Sequence, residues 1–176
     1  MVQVQAGSTL RTPMSRAEYA ELGEAKFHEY YDGCLVVNPP TVPHSLAVAR
    51  LIAALMPQCE GRLLVAGSGW SVGGEIFIPD VMVIDVGSVN ESLVVRPPHL
   101  VIEILSPSTK DVDWGKKLEA YGTGGAEWYW IVDLGEPSVF VLENRDGSFV
   151  QVVRVSAAAT LPPLGSPIDP RTLAQP

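Results

Sequence analysis

The chain has 176 residues, 47% of them hydrophobic, which suits one globular domain with a substantial core and leaves little room for a second. A formal net charge of −8 and a sequence pI near 4.8 oppose general attraction to nucleic acid, so any such partner requires a local basic patch. The opening residues hold no apolar run with basic flanks and no later stretch approaches a membrane span, so a cytoplasmic protein without a membrane partner is expected. Cys34 and Cys59 lack metal-ligand spacing and are too few for a disulfide framework.

In chain order, residues 1–12 read as an N-terminal tail, 13–158 as the folded domain and 159–176, rich in proline, as an irregular C-terminal tail. Ser15, with Glu18 three positions later, has capping-box spacing and opens a short helix ending near Gly23. FHEYYDGCLVV, residues 27–37, alternates about Asp32-Gly33, a dipeptide suited to a tight antiparallel turn, and predicts a hairpin. From Pro43 to Met56, Leu46, Ala49, Ala53 and Met56 recur at a helical period that Pro57 ends.

Strands are expected at RLLVAGSGWSV (62–72) and at EIFIPDVMVIDV (75–86), the second losing a ladder bond at Pro79. RPPHLVIEILS (96–106) reads as a buried strand. A helix from about Val112 to Tyr121 follows, and then three strands across 126–155, turning at Gly135 to Pro137 and at Asp146-Gly147. Together these elements predict a mixed α/β fold, with an N-terminal hairpin and helices against one central sheet.

Glu103 sits within the apolar run LVIEIL, where an unpaired carboxylate costs several kcal/mol or takes up a proton. Asp80 stands at the start of the neighbouring apolar run. Two ionised carboxylates about 5 Å apart repel by about 3 kcal/mol at an effective dielectric of about 20. Either one of them is protonated, or a cation lies between them; two carboxylates completed by water and a substrate phosphate suit Mg²⁺. On the predicted helix Asp113, Lys117 and Tyr121 are four residues apart and share a face, while Lys116 points about 100° away.

PDVMVID, PPHLVIEILSPST, D..GKKLEAY and G..EWYWIVD together resemble the Uma2 family of restriction-endonuclease-like proteins, a branch of the PD-(D/E)XK nuclease superfamily, over about Tyr19 to Val155. The resemblance implies a restriction-endonuclease-like sheet with Asp80 and Glu103 as metal-binding acids, the backbone carbonyl of Ile104 as a third ligand, and Mg²⁺ or Mn²⁺ as cofactor. The superfamily places lysine two residues after the second acid; here that position is Leu105, and Lys117 on the following helix matches the relocated lysine that orients or helps deprotonate the attacking water. Glu29 matches an acidic position in the family's first hairpin, as metal ligand or water-positioning group, and His44 a position where histidine is frequent. Each residue also has a plainer reading. Asp80 could cap a turn, Glu103 could form a structural salt bridge with Lys117, Lys117 and Tyr121 could be a solvated stripe and a core anchor, Glu29 could face solvent on a strand edge and His44 could cap or pack.

Lys110 and Lys116 flank the predicted site as phosphate contacts. Ser106 and Ser108 have no histidine placed as their base, and Ser-Pro-Ser is ordinary turn chemistry, which excludes a serine hydrolase. The expected function is a Mg²⁺-dependent endonuclease acting on DNA. The alternatives are a phosphodiesterase on another phosphoester, or a non-catalytic or regulatory protein retaining the nuclease fold. A homodimer is expected from the aromatics of EWYWIVD, read as exposed, and from the two-fold symmetry that suits cutting two strands.

Overall fold

The computed structural model describes residues 9–23, 28–90 and 93–175. The expected tail at 1–8 and Phe27 at the head of the hairpin lie outside these residues. Strand β1 (Leu10–Pro13) belongs to the fold and not to a tail, because its backbone pairs antiparallel with β3 (Cys34–Val37), which in turn pairs with β2 (Glu29–Tyr31). Helix α1 (Arg16–Glu21) has the capping box that the sequence predicts: Ser15 accepts from the Glu18 amide and the Glu18 carboxylate accepts from the Ser15 amide. The turn between β2 and β3 holds Asp32 and Gly33 at φ of 52° and 65°, the left-handed conformation such a turn requires.

Helix α2 (Val42–Leu55) is capped by Thr41. Its buried face is Ala47, Leu51 and Leu55; the Leu46, Ala49, Ala53, Met56 stripe faces outward. Both stripes are apolar at the same period, so periodicity alone could not choose between them.

Two expected strands are each divided. RLLVAGSGWSV splits into β4 (Arg62–Ala66) and β5 (Gly69–Val72), and EIFIPDVMVIDV into β6 (Glu75–Phe77) and β7 (Val81–Asp85). In both cases the chain leaves one sheet and enters another, in the second case at Ile78-Pro79-Asp80, where proline cannot donate a ladder bond. With β8 (Val89–Asn90), β9 (Leu93–Val94), β10 (Leu100–Ile104), β11 (Trp128–Asp133), β12 (Ser138–Arg145) and β13 (Ser148–Val155), the described strands build two large sheets instead of one. Their orders are β1-β3-β2-β6-β5-β9-β8 and β13-β12-β11-β10-β7-β4. The second sheet carries β10 at its interior, parallel to β11 and antiparallel to β7.

One face of this six-stranded sheet packs on α2 through Val81, Val83, Leu100, Ile102 and Trp130. The other, with Met82, Val101, Tyr129 and Ile131, packs on Tyr31, Trp70 and Phe77 of the first sheet and on Tyr121. Tyr121 belongs to a helical segment made of α3 (Lys110–Val112), a π-helical turn (Asp113–Lys117) and α4 (Leu118–Thr123). The predicted α-helix over 112–121 is therefore one turn of wider helix flanked by ordinary helix. In EWYWIVD, Tyr129 and Trp130 are fully buried and Trp128 is half-buried against the core, which removes the aromatic surface on which the dimer expectation rested.

The segment expected as an irregular tail is ordered. Strands β14 (Ala159–Leu161) and β15 (Ser166–Ile168) form a hairpin and α5 (Pro170–Leu173) follows, placing Leu161, Ile168 and Leu173 in the core beneath α2. Three apolar side chains spaced among prolines and turn residues were enough to bury it. Leu161→Ala should lower unfolding free energy by about 2–5 kcal/mol, as for any buried leucine, measured by urea denaturation; a change near zero would mean that the segment is a tail after all.

Candidate active site

Register determines how the two acids meet. Ile102 stands opposite Val81 in the β10–β7 ladder, so one step further Glu103 faces Asp80, the first residue before β7. The expected neighbouring of the two strands is thus present, and both acids line one cleft of about 440 Å³ with Glu29, His44, Ile104 and Lys117.

Asp80 is held from two sides. Its Oδ2 accepts from the Ile104 amide at 2.7 Å and lies 3.1 Å from Nε2 of His44, near the start of α2. Pro79 ends the ladder immediately before it, which frees the carboxylate to turn toward the end of β10. Because the N–H and C=O of one strand residue point to the same edge, the Ile104 carbonyl lies on the Asp80 side. Burial disfavours the His44 imidazolium, but the hydrogen bond to Asp80 and its charge outweigh it, so the His44 pKa is raised above its ordinary 6.5.

Glu103 is only 3% exposed, and its Oε1 accepts from Lys117 Nζ at 2.9 Å and from the Tyr121 hydroxyl at 2.7 Å. Burial pushes its carboxyl well above the ordinary carboxylate range; Lys117 opposes this, while Asp80, Asp113 and Glu29 add to it. The Lys117 ammonium, buried with it, also lies 3.1 Å from Oε1 of Glu29 and 3.4 Å from Oδ1 of Asp113. Burial works against the ammonium, yet Glu103, Glu29, Tyr121 and Asp113 together raise its pKa well above 10.5. Lys117 is therefore a fixed cation and hydrogen-bond donor.

The π turn puts Asp113, Lys117 and Tyr121 on the face toward Glu103 and sends Lys116 the other way. Lys116 bridges Asp32 at 2.6 Å and Glu75 at 2.8 Å, clamping the helical segment to the first sheet. It does not line the cleft, nor does Lys110, which lies 3.8 Å from Asp133. The two expected phosphate contacts are thus engaged elsewhere, because the sequence shows only that lysines are near the site and not where they point. Glu29 is buried instead of facing solvent, accepting from the Ile78 amide at 3.1 Å and from Asn38 at 3.3 Å. Ser106 hydrogen-bonds to Ser108 and Thr109, as expected of a turn.

Asn38 was not singled out from the sequence. It ties Glu29 to Thr9, whose hydroxyl donates to Asn38 Oδ1 at 2.6 Å. Its place just past β3 and before two prolines was the available signal.

Among the described residues no three His, Cys, Asp or Glu side chains converge as a metal-holding group. An oxygen set remains in Asp80, Glu103 and the Ile104 carbonyl. Oδ1 of Asp80 and Oε2 of Glu103 have no hydrogen-bond partner among the described residues, and neither is sealed from the cleft. Hard oxygen donors with spare lone pairs, in a site where Asp80, Glu103, Glu29 and Asp113 outnumber Lys117 and His44, fit a divalent cation.

The site thus sets two acids at the ends of adjacent strands of a mixed sheet, backed by a lysine-bearing helical segment. The Uma2 family, described as "putative restriction endonuclease", matches residues 16–169, and the chain belongs to it. Among solved structures the chain is similar to a "putative nuclease belonging to DUF820" from Anabaena variabilis ATCC 29413, at 19% identity and a TM-score of 0.70. The match covers 92% of this chain and 98% of that one. It shows the shared fold. No curated protein matches the chain. Among the described residues no helix is long and apolar enough to cross a membrane.

Removing the buried cation should be costly. Lys117→Ala leaves Glu103, Glu29 and Asp113 without a counter-charge and should destabilise the fold by about 3–5 kcal/mol, whereas Lys116→Ala, which breaks partly exposed pairs, should cost about 1 kcal/mol or less. Thermal melts of the two variants side by side check this; equal losses would contradict the placement of the two lysines.

Proposed function

We propose that the chain is a Mg²⁺-dependent endonuclease that hydrolyses DNA phosphodiester bonds, with Mn²⁺ as a substitute ion. The observation that carries this reading is the charge imbalance of the cleft: three carboxylates, Glu29, Asp80 and Glu103, the last two opposite each other at strand ends, around one ammonium and one imidazole, with the buried Asp113 carboxylate behind the ammonium. Family membership supports it.

Asp80, Glu103 and the Ile104 carbonyl would hold the ion. When bound, it would lower the pKa of a water and offset charge developing on phosphorus. The chain's own residues supply orientation. The Ile104 amide and His44 fix Asp80, while Tyr121 and Lys117 fix Glu103, so each acid keeps one oxygen turned to the cleft. Lys117, at the cleft wall, donates toward a phosphate oxygen or the attacking water and contributes positive charge as the transition state gains negative charge. Tyr121 is a positioning residue, since its hydroxyl reaches Glu103 and does not line the cleft.

Incubation of the purified protein with plasmid and linear DNA in Mg²⁺, Mn²⁺ or EDTA tests the reading. Cleavage is expected with either ion and lost in EDTA. Glu103→Gln should lose it as well, and Lys117→Ala should lower kcat/KM by roughly two orders of magnitude or more. Wild-type protein inert on every phosphodiester offered would overturn it in favour of a non-catalytic relative.

His44 gives a readout independent of turnover. In an NMR titration its midpoint should lie above 6.5 and fall in Asp80→Asn. Because the folded-state value is the higher one, the stability this pair contributes is full below about pH 6.5 and is lost as pH rises through the folded-state midpoint. Mg²⁺ held by Asp80 competes for the same charge and should lower the midpoint; a midpoint indifferent to Mg²⁺ would remove Asp80 from the ion's ligands.

A further inference from the structure

We propose that the substrate strand enters this site unpaired, so that the chain acts on single-stranded DNA in preference to duplex; the inference rests on the nuclease reading above. Two cavities adjoin the acid cluster. The larger, about 440 Å³, combines the acids with an apolar wall of Val36, Pro39, Pro40, Val48, Ile78 and Pro79. A volume in the range of about 300–1,000 Å³ accommodates one small ligand, here one nucleotide, and not a stretch of double helix. The smaller, about 230 Å³, is lined by Arg11 and Tyr31.

Glu29, Asn38, Ser108, Thr109 and Lys117 line both cavities, so the two meet at the lysine. Thr9 straddles this junction. Its hydroxyl lies 2.6 Å from Oδ1 of Asn38 and 3.5 Å from the Ser108 carbonyl, linking the loop after β3 to the loop after β10. A phosphate at Lys117 would therefore have one nucleotide in the larger cavity and its neighbour against the Arg11 side, and the base in the larger cavity would need to leave any partner strand to enter.

Charge points the same way. Duplex binding draws on a rail of lysines and arginines, about 6–10 phosphate contacts in strongly bound cases. Here Arg11, Arg62, Lys110, Lys116, Arg145, Arg154 and Arg171 each lie within 4.0 Å of a carboxylate, Lys117 is surrounded by three, and the chain as a whole carries −8. Contact with unpaired bases is a binding term that needs no such rail. The proline and aliphatic wall offers one surface for that. The partly exposed Arg11 guanidinium, which lies 4.9 Å from the buried Tyr31 ring centroid and 3.5 Å from Asp32, offers a second flat surface on which a base could stack.

The test uses the full chain with a fluorescent oligonucleotide presented alone, annealed to its complement, or as RNA of the same sequence. Anisotropy in EDTA reads binding and gel analysis in Mg²⁺ reads cleavage. Single-stranded DNA should bind about tenfold or more tighter than duplex, one unpaired base being worth roughly that factor, and should be cut faster by a similar ratio. Arg11→Ala, at a partly exposed side chain and with folding checked by a thermal melt, should weaken single-strand binding more than duplex binding. Val48→Trp, which fills the larger cavity, should abolish cutting of single strands. Equal or tighter binding of duplex overturns the proposal, as does RNA bound in preference to DNA. Single strands bound preferentially but never cut would uphold the proposed mode of entry while overturning the nuclease reading itself.

Discussion

The Lys117–Glu103 pair is the constraint from which the rest of the site follows. Two charges taken out of water each lose several kcal/mol of hydration, and only close mutual contact with further hydrogen bonds returns it. That requirement explains why Tyr121 donates to the same Glu103 oxygen, why Glu29 and Asp113 close on the same ammonium, and why the helical segment carries a π turn at Asp113–Lys117. It also explains the position of Glu29. A strand-edge acid would otherwise point to water, but here the Ile78 amide, Asn38 and Lys117 give it three partners inside the fold.

A second constraint is Pro79. Where it stands, the chain passes from the seven-stranded to the six-stranded sheet, and the break leaves the end of β10 without a ladder partner on its β7 side, while β11 still pairs on the other. The Ile104 amide then gives its hydrogen bond to Asp80. One missing N–H thus both separates two sheets and orients a carboxylate, coupling the architecture to the chemistry through a single residue type.

Much of this was legible in the sequence because it depended on local chemistry. The capping box at Ser15, the Asp32-Gly33 turn, the buried strand around Glu103 and the common face of Asp113, Lys117 and Tyr121 each follow from spacing alone. What could not be read depended on which of two equivalent options the rest of the fold selects. Helix α2 offers two apolar stripes, and only packing beneath β10 and the C-terminal hairpin decides for Ala47, Leu51 and Leu55. The division of EIFIPDVMVIDV is signalled by Pro79, but a proline at a strand edge and a proline at a crossover look the same in sequence. The directions of Lys110 and Lys116 depend on Asp133, Asp32 and Glu75, which lie far along the chain.

The C-terminal hairpin and α5 also bear on how the chain reaches this structure. Trp130 donates to the Pro162 carbonyl at 2.9 Å, and Arg50 donates to the Leu173 and Gln175 carbonyls, 123 and 125 residues away. A chain emerging from the ribosome therefore completes α2 long before it makes the residues that cover one side of it. Until residues 159–175 are free of the exit tunnel, Leu55 and Trp130 lack part of their final surroundings. Synthesis of the nuclease-like core and its closure are separate events in time, and in the interval an apolar surface is open to chaperones.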